Sequence, residues 1–421
     1  MVLASRSIGK VNRYYNGVPI RPTTICCSAL ALSLSLIASL TTQPLTRTSQ
    51  SSIRPAGLLS LFPTAPAWSV SIESGVALPP GFDDARAFVP LADGQLAAYD
   101  LATGKMLWTV TQATSATPVA AEDRVVLIED TEVIARDAET GDVVWQYPVG
   151  SPVKAPVTLI GGWAIVPESA GTIAALRLED GGMVWTRTLE SSPAEAATVE
   201  GIFTMIPTVD GQVIALALDD GRRLWTRRLG GRPQPVLAVD DRVYVGADDN
   251  YFYCLRLSDG RVEWRWRTGA DIVGVAAFDD RRVYFAALDN VLRALDRRSG
   301  AQRWKRALTV RPTAGPVLAA DALLVASQSA TIHGFLTKDG APAGDIDAGG
   351  VLVGVPHVAE PPAHPAPLVI YTTGSVTSGA TMAAVTRRIE PPVTPIVPLP
   401  NPAPLPPPPE ASTTSPDGGN R

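Results

Sequence analysis

Three cysteines and three histidines in a chain of 421 residues are too few for a paired-ligand zinc site, an iron–sulfur cluster or a disulfide framework. Side-chain metal and redox chemistry is therefore not expected. Charge of one sign is also missing: 36 Lys plus Arg stand against 41 Asp plus Glu, for a net charge of −5. That balance gives no electrostatic footprint for nucleic acid or for an anionic membrane surface. Long hydrophobic runs are absent too. The apolar run Ile25 to Leu40 (ICCSALALSLSLIASL) has 16 residues, short of the roughly 20 that span a bilayer. What is abundant is apolar material, 46% of the chain against 18% charged, enough for a sizeable core.

The ends differ in composition from the middle. Arg6, Lys10, Arg13 and Arg21 precede the apolar run with no acidic residue among them, the layout of a signal peptide or an N-terminal membrane anchor over residues 1–40. The remainder is then exported, and the chain meets a membrane only through this segment. Cys26 and Cys27 stand at the start of the run rather than after it, where a lipidated cysteine would lie. Cys254 is left without an intramolecular partner and reads as a small buried apolar side chain. Residues 41–66, rich in Ser, Thr, Gln and Pro, read as a flexible linker, and the Pro-rich stretch 390–421 as a disordered tail or stiff spacer.

Between these ends the sequence repeats. Six segments align: LAAYDLATGKMLW, VIARDAETGDVVW, IAALRLEDGGMVW, VIALALDDGRRLW, FYCLRLSDGRVEW and LRALDRRSGAQRW, ending at Trp108, Trp145, Trp185, Trp225, Trp264 and Trp304. A seventh, IHGFLTKDGAPAG, keeps the glycine and replaces the tryptophan by Gly344. A turn glycine stands four residues before each of these end positions: Gly104, Gly141, Gly181, Gly221, Gly260, Gly300 and Gly340. Ten residues earlier comes a second turn, at Gly94, Thr131, Gly171, Gly211, Asn250, Asn290 or Ala330. Turns at this spacing, flanked by runs such as RVYVGA and RVYFAA, predict short antiparallel strands joined by hairpins, four to a repeat.

Four-stranded units of about 40 residues are the arithmetic of an all-β propeller. The repeated tryptophans then read as blade-packing pieces, each burying about 150–250 Å² against the next sheet, a few kcal/mol by area. Trp68 lies 40 residues before Trp108 but has no strands of its own before it, while PLVIYTTG and TMAAVTRR near the other end lack a closing tryptophan strand. The chain ends complement each other. This predicts eight blades over residues 67–389, the last closed by the N-terminal strand around Trp68; seven blades is the alternative.

The AxDxxTGxxxW unit, here AYDLATGKMLW and ARDAETGDVVW, resembles the repeat of pyrroloquinoline-quinone-type propellers. Within that superfamily, an exported eight-bladed ring with little else attached resembles the BamB-like propellers of the outer-membrane β-barrel assembly machinery. The resemblance implies a non-catalytic protein-interaction scaffold at the periplasmic face of the cell envelope, a monomeric propeller within a complex, with envelope or outer-membrane assembly proteins as partners. The alternative is a quinone-dependent oxidoreductase or a small-ligand-binding propeller. The superfamily's enzymes hold pyrroloquinoline quinone with calcium through acidic and amide side chains and use an Asp as base. Here the acidic residues fall mostly in turns, as at Asp83-Asp84, Asp219-Asp220 and Asp248-Asp249, so no catalytic residue, metal or cofactor is expected.

The segments leading into the innermost strands approach the central channel and carry Lys154, Glu195, Arg232, Asp271 and Arg311. They are the candidate contacts for a peptide or a sugar, though solvated rim charges would look the same. His333, His357 and His364 read as loop surface.

Overall fold

The computed structural model describes residues 13–15, 18–20 and 60–388, apart from 363, 365 and 376–378. The apolar run after Arg21 and the Pro-rich tail lie outside the described residues. A short hairpin pairs Arg13–Tyr15 with Val18–Ile20. All other strands belong to eight four-stranded antiparallel sheets.

Seven of these sheets are written consecutively, at residues 81–111, 119–148, 158–188, 198–228, 237–267, 272–307 and 317–347. Within the third blade the strands are Thr158–Ile160, Trp163–Pro167, Thr172–Arg177 and Met183–Thr188, in spatial as in chain order. The first strands of neighbouring blades touch one another, which sets them around the axis and the tryptophan strands at the rim. The eighth blade takes His357–Ala359, Leu368–Ser375 and Gly379–Arg387 from one end of the chain and Thr64–Ile72 from the other. Trp68 pairs with Ala384. The ring is an eight-bladed β-propeller, and the seven-bladed alternative is set aside.

The two middle strands of each blade are buried on both faces because each face meets a neighbouring blade, so runs such as Leu96-Ala97-Ala98 are continuously apolar. The core is accordingly divided. Eight separate apolar clusters each lie between two adjacent blades. No cluster spans the whole ring.

Each of seven tryptophans lies on the turn glycine of the next blade. At Gly221 an added Cβ would stand 2.5 Å from Cε3 of Trp185, and φ there is +68°. Two demands therefore meet at one residue: a left-handed turn and a flat surface for an indole. The same stack joins Trp68 to Gly104, Trp108 to Gly141, Trp145 to Gly181, Trp225 to Gly260, Trp264 to Gly300 and Trp304 to Gly340. The indole N–H then donates to a carbonyl three residues before the glycine, as from Trp185 to Leu218 at 2.8 Å and from Trp68 to Leu101 at 2.9 Å. Trp264 departs from this pattern. The carbonyl of Arg297 that would accept its proton takes the Tyr244 hydroxyl instead, at 3.0 Å, and the Trp264 indole N–H is buried without a partner.

The seventh blade has no tryptophan to lay on the eighth. Phe62 occupies the place of the missing indole: a Cβ at Gly344 would lie 2.5 Å from its ring, and one at Gly334 2.3 Å. Leu61 beside it is buried in the same cluster, and its backbone N–H donates to Asp321 at 2.9 Å. The ring thus begins before the boundary expected at 67. Leu61 and Phe62, read above as linker, are part of the packing between blades 7 and 8.

Candidate functional site

The connections from each fourth strand to the next first strand gather on one face with the second-to-third turns, tied by bonds such as Leu189 N–H to the Gly171 carbonyl at 2.9 Å. The turns that receive the tryptophans gather on the other with the first-to-second turns, as Leu178 N–H to the Gly162 carbonyl at 2.8 Å illustrates. Lys154, Glu195, Arg232, Asp271 and Arg311 all lie on the first face, beside the first strands of blades 3 to 7. Their signs alternate around the mouth. Glu195 and Arg232 meet at 3.9 Å, and the Arg232 guanidinium also donates to the Ala194 carbonyl at 3.2 Å. Burial raises the Glu195 carboxyl above the usual range, an effect that Arg232 partly offsets. Lys154 is exposed, and no ion pair joins Lys154, Asp271 or Arg311 to a described residue within 4 Å.

Arg311 belongs to a depression of about 560 Å³ between blades 6 and 7, floored by Val273, Pro312 and Ser327. Thr313, Ser327 and Gln328 continue it into a second hollow of about 510 Å³ toward blade 8. The structure therefore joins two of the five rim residues directly and places a third at a shallow trough. The axis itself is closed around by strand-to-strand contacts. Thr158 Oγ1 donates to the Ala197 carbonyl at 2.6 Å, and Thr198 Oγ1 to the Val236 carbonyl at 2.8 Å.

His357 is not on a loop. It sits on the first strand of blade 8, and its ring stacks on Phe82 of blade 1 with centroids 4.3 Å apart and planes 3° from parallel. Burial there pushes the imidazole down to about 4, so it is neutral at physiological pH. His364 is a loop residue whose Nδ1 lies 3.0 Å from the Ala366 carbonyl, and His333 pairs with Asp345 at 2.9 Å on the two outer strands of blade 7. Cys254 is fully buried in the cluster between blades 5 and 6, and burial pushes its thiol up to about 12, which makes it no nucleophile at neutral pH.

The mouth can be tested against a quinone held by calcium. Calcium takes six to eight oxygens from one cluster of donors. Here Arg232 stands between the two carboxylates among these five residues, on the blade between theirs, and among the described residues no group of three or more His, Cys, Asp or Glu side chains is placed to hold a metal. The five rim residues do not fit that pair. They suit a surface of alternating charge in which one pair, Glu195 and Arg232, is joined.

Sealed blades of this kind define a repeat β-propeller of the pyrroloquinoline-quinone-like class. The chain belongs to the family of the outer membrane protein assembly factor BamB, whose model matches residues 63–207, 137–239 and 209–347. BamB from Moraxella catarrhalis is 19% identical, with a TM-score of 0.59 over 76% of this chain and 97% of that one. Quinohemoprotein alcohol dehydrogenase from Comamonas testosteroni is 13% identical, with a TM-score of 0.62 over 79% of this chain and 78% of that one. The computationally designed protein Ika8 is 15% identical, with a TM-score of 0.63 over 76% of this chain and 99% of that one. At these identities the three share the fold with this chain. No curated protein matches the sequence.

Proposed function

We propose that this propeller is a non-catalytic protein-interaction scaffold of the cell envelope, acting at the periplasmic face with outer-membrane assembly proteins as partners. The observation that carries the reading is the mouth. Glu195 and Arg232 pair across neighbouring blades, so the Glu195 carboxylate at the mouth already faces a cation of the chain itself. Membership of the BamB family supports it. A disc whose eight seams are each filled by an indole or a phenyl ring presents its loops on two rigid faces, which suits docking without moving parts.

The second reading, a quinone-dependent oxidoreductase, draws on the shared fold with a quinohemoprotein dehydrogenase. One assay separates them. Purified protein given pyrroloquinoline quinone, calcium, an artificial electron acceptor and a panel of alcohols and sugars should leave the acceptor oxidised. Reduction of the dye that depends on the quinone would overturn the scaffold reading.

A further inference from the structure

The rim of the ring is chemically lopsided. In each of blades 1 to 7 the pairing of the third and fourth strands slips by one residue just before the tryptophan position, a β-bulge repeated at the same place. In blades 1 to 3 both residues ahead of the tryptophan face outward at this bulge, whereas Leu224 of blade 4 and Ala343 of blade 7 pack against the core clusters. In blades 1, 2 and 3 the two residues are Met106–Leu107, Val143–Val144 and Met183–Val184, all between 39% and 58% exposed. In blades 4 to 7 they are Arg223–Leu224, Val262–Glu263, Gln302–Arg303 and Pro342–Ala343, of which only Val262 is a large exposed apolar side chain. The strands Met106–Thr111 and Val143–Pro148 carry no charge at all. Rim strands usually carry charges that discourage pairing.

Acidic side chains stand between the apolar pairs. The turn that receives Trp108 holds Glu139 and Asp142, the turn that receives Trp145 holds Glu179 and Asp180, and the turn that receives Trp185 holds Asp219 and Asp220. Asp180 is paired with Arg177 at 2.9 Å and Asp220 with Arg222 at 3.8 Å. Glu139, Asp142, Glu179 and Asp219 form no ion pair with any described residue; the cations beside them are Lys105 next to Met106, Arg136, whose guanidinium donates to the Gly141 carbonyl at 2.6 Å, and the exposed Arg187, which donates to the carbonyls of Asp220 and Gly221. The pairs are also linked: the Tyr147 hydroxyl of blade 2 lies 4.0 Å from Sδ of Met183 on blade 3. Apolar and anionic patches therefore alternate along three consecutive blades.

We infer that the arc over blades 1 to 3 is a docking surface for a cationic amphipathic segment of a partner protein, one whose apolar side chains are flanked by lysine or arginine. This rests on the scaffold reading and gives it a partner chemistry. Apolar contact would come from the outward pairs, and the unpaired carboxylates would set orientation and favour cations by charge complementarity.

The test uses the full chain and two synthetic amphipathic peptides, one of Leu and Lys and one of Leu and Glu. The Leu/Lys peptide should bind, and binding should weaken at least about tenfold in L107S/V144S/V184S, in E139Q/E179Q/D219N, and with added salt. R265S/K305S on the opposite arc should leave it unchanged. Equal binding to wild type and both arc variants, equal binding of the Leu/Glu peptide, or no binding at all would overturn the proposal. So would a dimer of the chain that L107S/V144S/V184S dissolves, since that assigns the arc to a second copy. The scaffold reading fails separately, by quinone-dependent dye reduction, whatever the peptides do.

Discussion

Seven of the eight seams are built alike and the eighth is not. Between blades 3 and 4, Trp185 lies flat on Gly221 from a fixed place in its own repeat. Between blades 7 and 8 the same space is filled by Phe62, which precedes every repeat and reaches the seam from outside the strand pattern. What the seam requires is an aromatic plane over a surface bare of Cβ atoms, and the chain supplies it by whichever segment is near. The closing blade consequently depends on one short stretch twice: Phe62 seals it against blade 7, and Trp68 seals it against blade 1.

That contrast can be broken in graded steps. Trp185→Ala should cost about 3–5 kcal/mol in denaturant unfolding, since it removes a buried ring from a seam that cannot refill. Phe62→Ala should cost less, about 2 kcal/mol, because the ring is only half-buried, and hydrogen exchange should rise in blades 7 and 8 alone. Gly221→Ala should cost more than Gly94→Ala in the same unfolding measurement. Both glycines have positive φ, but a Cβ at Gly94 meets nothing within 4 Å, so that substitution should stay near the 1–2 kcal/mol of backbone strain.

The inner end of the closing seam is the His357–Phe82 stack, and it sharpens the comparison by pH. The folded imidazole titrates near 4 against about 6.5 unfolded, so the unfolded chain takes up the proton first as pH falls. Stability should be unaffected above about pH 7, decline by about 1–2 kcal/mol toward pH 5, and stop declining from this cause below 4. His357→Phe should remove that part of the slope in pH-dependent denaturation.

The smallest effect separates two tryptophan seams. Trp225→Phe loses a 2.8 Å bond to the Leu257 carbonyl along with some packing, whereas Trp264→Phe discards an indole N–H that had no partner. Trp225→Phe should be the more destabilising by about 1 kcal/mol.

Much of this was legible in the sequence. The spacing of the turn glycines gave the blade count, and the orphan Trp68 gave the closure, because a repeat must be completed for its edges to pair. The tryptophan and the glycine were each readable, one as a packing piece and the other as a turn. That they are one contact was hidden, since the two lie in different repeats. Phe62 was illegible for a plainer reason: it has no repeat register and sits among prolines and serines that read as linker. His357 was misplaced because the Pro-rich segment just after it resembles a loop, although the histidine itself belongs to a three-residue first strand. The five charged residues ahead of the first strands stood in the sequence, but the alternation of their signs appears only when the blades are set side by side. The exposed pairs before Trp108, Trp145 and Trp185 stood in the alignment, yet that both residues face outward shows only at the bulge.

Amide hydrogen exchange of the full chain tests the closure most directly. If the two ends share one sheet, strand Thr64–Ile72 should be protected to the same degree as its partner Gly379–Arg387, and the two should lose protection together under mild denaturant. Rapid exchange across 64–72 while 379–387 stays protected would contradict it.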